Sequence, residues 1–143
     1  MKHSYTVHVK TSKRQLGDTG EEIACRYLQQ RGYLILDRNY LKPWGEIDIV
    51  AEKAKRLYFI EVKSVSRESL KEQGRGVTRE PGFYRPEDNV HPVKLKRLHR
   101  AIQTYLLDHK VPENKEWQID VACVYLDFSA RTARVEVLEN IIL

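Results

Sequence analysis

Two carboxylates and a lysine set in apolar surroundings are the side chains of this 143-residue chain best placed to do chemistry. Asp48 falls within Ile47-Asp48-Ile49-Val50 and Glu61 within Tyr58-Phe59-Ile60-Glu61-Val62, with Lys63 two positions further on. Such neighbours bring at least part of each charged side chain close to the core, where a charge needs a partner. A hard divalent cation meets that need: Mg²⁺ takes oxygen ligands at about 2.0–2.1 Å and commonly uses only one or two protein carboxylates. Asp48 and Glu61 are therefore candidate ligands for Mg²⁺ or Mn²⁺. Lys63 is placed to position or deprotonate an attacking water, or to neutralise charge developing on a phosphodiester. The implied reaction is phosphodiester hydrolysis. The same three residues also fit a structural ion pair on a solvated sheet face, and the spacing alone does not separate the two.

The elements that must position these groups follow from periodicity. Side chains alternate faces along a strand, so Glu46, Asp48 and Val50 should point one way and Ile47 and Ile49 the other. Strand-like segments run from Tyr33 to Arg38, Glu46 to Ala51 and Leu57 to Lys63, divided by Lys42-Pro43-Trp44-Gly45 and by the charged stretch Glu52 to Arg56. A meander of these strands sets Asp48, Glu61 and Lys63 side by side. Ahead of it, Ile23, Ala24, Tyr27 and Leu28 form one stripe of a helix expected over residues 18–31, with Asp18 and Thr19 as caps, Glu21 and Glu22 in the first turn and Gly32 closing it. A second amphipathic helix follows Pro92, carrying Leu95, Leu98, Ala101, Ile102, Tyr105 and Leu106. Trp117–Leu126 reads as an interior strand and Arg134–Leu138 as an outer one. The order αβββαββ gives an α/β domain, a mixed sheet with helices packed on it.

Residues 64–92 hold three Gly and three Pro with little periodicity, which predicts a long mobile loop. Residues 1–15 are expected to be a flexible basic tail, leaving a single domain over 16–143. The net charge of +5 is clustered: Lys2, Lys10, Lys13 and Arg14 meet no acid before residue 18, and Lys94, Lys96, Arg97, Arg100 and Lys110 face Asp108 alone. Two such patches suit a polyanion. No apolar run approaches the roughly 20 residues that cross a bilayer. The N-terminus also lacks an apolar signal region, so a cytoplasmic location is expected. Cys25 and Cys123 lack zinc-site spacing and are expected to be buried thiols.

Gly45-Glu46-Ile47-Asp48-Ile49-Val50 followed by Phe59-Ile60-Glu61-Val62-Lys63 resembles the D…E-x-K signature of the restriction-endonuclease-like superfamily. With Gly20-Glu21, Ala24, Tyr27-Leu28, Gly32-Tyr33, Asn39-Tyr40, Lys94, Ala101, Tyr105-Leu106 and Asp120-Val121, the likeness extends to the YraN-like family of bacterial proteins, itself similar to archaeal Holliday-junction resolvases. The resemblance covers residues 16–143 and implies an αβββαβ nuclease core. It also implies that Asp48 and Glu61 bind metal, that Lys63 is the catalytic lysine and that Glu21 adds a carboxylate from the first helix. Glu46 is a lesser candidate, and Glu21 has an alternative role at the helix dipole. Where the family often has an arginine two positions before the aspartate, this chain has Gln118, so Asp120 must be satisfied otherwise.

The expected partner is DNA, branched or single-stranded, held by Lys94, Arg97, Lys13 and Arg14. A homodimer is expected only by analogy with the resolvases. Two other readings stay open: a nucleic-acid-binding module of the same fold without chemistry, and a protein-partner adaptor. His91, His99 and His109 lack metal-pair spacing. Trp44, Phe83 and Tyr84 are loop aromatics that either stack on bases or pack their own loops.

Overall fold

The computed structural model describes residues 13–66 and 92–141, with side chains from residue 17 onward. Helix α1 spans Lys13–Gln30, followed by β1 (Leu34–Lys42), β2 (Gly45–Lys53) and β3 (Arg56–Ser66), then α2 (Pro92–Asp108), β4 (Trp117–Asp127) and β5 (Thr132–Leu138). The five strands form one sheet in the order β1-β2-β3-β4-β5. β3 and β4 are parallel, joined through α2, and every other pair is antiparallel. This is the expected α/β architecture, consistent with a restriction-endonuclease-like core.

The two helices take opposite faces because each has one apolar stripe to bury. Ile23, Ala24, Cys25 and Leu28 of α1 pack on Ile49, Ala51, Ile60, Ala122, Val124 and Val135. Leu98, Ala101, Ile102 and Tyr105 of α2 pack on Ile47, Val50, Leu57, Phe59 and Ile119. The Phe59 ring meets Tyr105 and Trp117 edge-to-face, with centroids 5.6 and 5.5 Å apart. Both cysteines are buried and free, as expected, and burial pushes the Cys123 thiol up to about 11.

Helix α1 starts earlier than its sequence predicts. Asp18 and Thr19 lie inside the helix, so neither is a cap, and Lys13 and Arg14 are its first residues instead of part of a tail. The C-terminal end is as expected: Gly32 has φ +89°, its N–H donates to Gln29 O at 3.1 Å, and Tyr33 N–H donates to Leu28 O at 3.0 Å. The expected loop loses its edges to regular structure, residues 64–66 to β3 and Pro92 to α2. Its remainder, with Phe83, Tyr84 and His91, lies outside the described residues.

Candidate metal and nucleic-acid site

β2 and β3 are paired residue for residue from Lys53↔Arg56 to Ile49↔Ile60, and there the ladder stops. Continuing the same register sets Asp48 opposite Glu61, but these residues do not exchange backbone bonds. Asp48 Oδ2 instead accepts from Val62 N–H at 2.8 Å, so a side chain takes over where the backbone ladder ends. The alternation of β2 breaks at the same place. Ile49 packs on the α1 side and Ile47 on the α2 side, beside Val50. The expectation that Ile47 and Ile49 share a face is therefore wrong. Its physical cause lies in β1, where Arg38↔Ile49 and Tyr40↔Ile47 are paired but Asn39 and Asp48, between them, are not. Asn39 has φ +52°, outside the strand region.

The structure brings together the carboxylates singled out from sequence. Asp48 and Glu61 are 8% and 5% exposed, in hydrogen-bond contact with each other. Burial, then the Glu61 charge, pushes Asp48 up to about 8, against the pull of the Val62 amide. At neutral pH Asp48 therefore favours its protonated form. Lys63, two residues along β3, is half-buried, and burial together with the Lys94 charge lowers its pKa while the two carboxylates oppose this. Glu21 lies well inside α1, which removes the helix-dipole account of it. It is half-buried and hydrogen-bonded to Asn39. Burial raises its pKa, the Asn39 bond and Arg38 lower it, and its charge reaches Asp48 and Glu46.

Two glycines let the flanking helices come this close. A Cβ on Gly20 would collide with the Ser64 side chain, next to Lys63, so α1 lies directly on β3 beside Glu21. A Cβ on Gly45 would collide with the Arg97 carbonyl, so the β1–β2 turn lies directly on α2. Trp44 fastens that turn. Its Nε1–H donates to Thr104 Oγ1 at 3.0 Å, Arg100 lies over its ring at 5.2 Å, and Arg97 Nε donates to its carbonyl at 3.3 Å. Trp44 packs its own turn here, the second of its two expected roles.

Between turn and helix lies a cleft of about 450 Å³ lined by Leu41, Lys42, Gly45, Glu46, Glu61, Val93, Lys94, Arg97 and Leu98. Lys94 Nζ lies 2.5 Å from Glu61 Oε1. Burial lowers the Lys94 pKa, and the Glu61 charge and hydrogen bond outweigh it, leaving the group raised. Sequence reasoning placed Lys94 on phosphate and did not foresee this pairing. Arg97 lines the same wall, and Glu46 is exposed at its mouth. The side chains of Lys13 and Arg14 are outside the described residues.

Two of the remaining candidates, Asp120 and His109, have structural partners. Asp120 Oδ1 accepts from Gln118 Nε2 at 2.8 Å and from Asn140 N–H at 2.9 Å, so Gln118 supplies one partner in place of the arginine, while the buried Oδ2 has no hydrogen-bond partner among the described residues. His109 stacks on Tyr105 with centroids 3.8 Å apart. Among the described residues no three His, Cys, Asp or Glu side chains group as a metal site. The donor set is thus a carboxylate pair, which suits a hard cation that keeps much of its water shell. The buried Asp48 and Glu61 carboxyl groups, with the Lys94 ammonium on Glu61 Oε1, are the residues that would hold such a cation. No helix among the described residues is long and apolar enough to cross a membrane.

Comparison with known proteins agrees with the motif resemblance. The model of Uncharacterised protein family UPF0102 matches residues 20–124, a span containing every carboxylate and lysine of the cleft. A UPF0102 protein of Campylobacter lari is 36% identical over 91% of this chain and 96% of its own length. Relatives of the same description in Moorella thermoacetica and Wolinella succinogenes are 35% and 36% identical, over 90% and 91% of this chain and 96% and 98% of theirs.

Proposed function

The chain belongs to Uncharacterised protein family UPF0102, and from the site it builds we propose a metal-dependent phosphodiesterase acting on DNA, of the endonuclease type. The single observation that supports this is the buried Asp48–Glu61 pair at the point where β2 and β3 part, with Lys63 two residues along and Lys94 and Arg97 on the adjoining cleft. Asp48 and Glu61 would hold Mg²⁺ or Mn²⁺, which when bound supplies charge neutralisation at a phosphodiester. Lys63, its pKa already lowered, holds or passes a proton at the attacking oxygen. Arg97 and Lys94 orient phosphates along the cleft, and Val62 N–H fixes which Asp48 oxygen faces away from the strand. Glu21 adds negative charge from the α1 side.

The test is cleavage of single-stranded, duplex, flapped and four-way DNA with Mg²⁺, Mn²⁺ or chelator, with binding recorded in parallel. Cleavage should need metal and be abolished by Asp48→Asn. Lys63→Ala should lower turnover by about 10²–10⁴-fold with affinity nearly unchanged. Metal-independent cleavage, or full activity in both variants, overturns the reading. The Lys94–Glu61 ion pair favours a second reading, binding without chemistry, in which a lysine permanently fills the cation's place. That reading predicts salt-dependent binding with no cleavage under any metal.

A further inference from the structure

Six non-glycine residues among those described have positive φ, and five of them lie in turns or beyond the end of an element: Ala54, Lys55, Lys110, Arg131 and Asn140. Asn39 is the exception, in the middle of β1. A left-handed residue within a strand disrupts pairing and costs free energy for any side chain, least for Asn, Asp and Gly. It persists where the surrounding structure fixes it, often beside a functional site. Here the position is telling. The β1–β2 register runs continuously from Asp37↔Val50 to Lys42↔Gly45, and the pair omitted is Asn39 with Asp48. Across that gap the alternation of β2 slips, and the Asp48 carboxylate reaches Val62 N–H on the other neighbouring strand. The Asn39 side chain is in turn hydrogen-bonded to Glu21 from α1.

We propose that Asn39 is the positioning residue of the carboxylate site: its left-handed backbone frees Asp48 from β1 and turns it toward β3, while its amide holds Glu21 on the same side. This deepens the metal-site reading by naming what builds the site, and it gives a role to Asn39, which the proposed chemistry leaves unused. A regular strand residue at this position would restore the Asn39–Asp48 rung and draw the carboxylate back toward β1. The backbone part of the role is open to any residue that tolerates the left-handed region. The Glu21 tether requires an amide.

The test reads Asp48 through its bond to Val62, without metal. Hydrogen exchange at the Val62 amide is followed by NMR in wild type, Asn39→Gly and Asn39→Val, with Asn39→Ala in place of the valine variant if that does not fold. Asn39→Val should speed exchange at Val62 by about tenfold or more while the amides of Leu57–Phe59 keep wild-type protection, and Asn39→Gly should stay within about threefold of wild type. Unchanged Val62 protection in the valine and alanine variants overturns the proposal, as does equal loss in Asn39→Gly. A Mn²⁺ titration of the same samples separates the two claims. If wild type shows no Mn²⁺-dependent broadening near Val62 while the exchange pattern holds, the metal reading fails and the positioning role stands.

Discussion

Strands β2 and β3 run beside one another in two different physical regimes. From Ile49 to Lys53, β2 is paired with β3 residue for residue, and its apolar side chains Ile49, Val50 and Ala51 are fully buried between the two helices. From Gly45 to Asp48 the ladder to β3 is open, a carboxylate replaces a backbone acceptor, and the neighbours are Glu61, Lys94 and Arg97. The first half holds the sheet together and the second half is held by it. Burial without pairing is costly for charges and favourable for methyl groups. Truncating an apolar side chain of the paired half and removing the buried carboxyl of the open half should therefore have opposite signs.

The largest expected effect is in the paired half. Phe59→Ala removes a fully buried ring that meets Tyr105 and Trp117, and should destabilise the protein by about 3–5 kcal/mol in chemical denaturation. Gly45→Ala comes next. Its new methyl meets the backbone carbonyl of Arg97, which cannot swing away as a side-chain tip could, and a cost of about 1–3 kcal/mol is expected, with the cleft distorted.

Above about pH 8, Asp48→Asn should move stability the other way in metal-free protein, because it removes a buried carboxyl that is costly to ionise and still offers an oxygen to Val62. The pH dependence fixes the sign. A carboxyl raised from 3.8 to about 8 binds more protons folded than unfolded across that range. Its contribution therefore falls as pH rises toward 8 and is restored on acidification. Thermal melts of wild type between pH 5 and 9 without metal should show this decline, and Asp48→Asn should flatten it. A variant less stable than wild type at pH 9 would erase the distinction between the two halves.

Most of the paired half was legible in the sequence. Apolar runs such as Leu57–Ile60 and Val121–Leu126 specify buried strands, and the stripe from Leu98 to Tyr105 specifies a helix face. The carboxylates were legible for the same reason: a charge inside an apolar run is conspicuous. Three features were not. The start of α1 was hidden because Asp18 and Thr19 look like a cap and are tolerated inside a helix that tertiary packing supports. The slip at Asp48 was hidden because strict strand alternation puts Ile47 and Ile49 on one face, although Asn39, a poor strand former at ease in the left-handed region, was its signal. The Lys94–Glu61 contact was hidden because it joins residues far apart in sequence, which only the packing of α2 brings together.

A Mn²⁺ titration at pH 7 and pH 9, followed by calorimetry in wild type and Asp48→Asn, addresses the open half most directly. Wild type should bind Mn²⁺ more tightly at the higher pH, releasing more protons at pH 7, because the cation displaces the proton Asp48 keeps there. The variant should lose most of that affinity and its pH dependence. Equal Mn²⁺ affinity in the two proteins, or none in wild type at either pH, would contradict a cation site where β2 and β3 part.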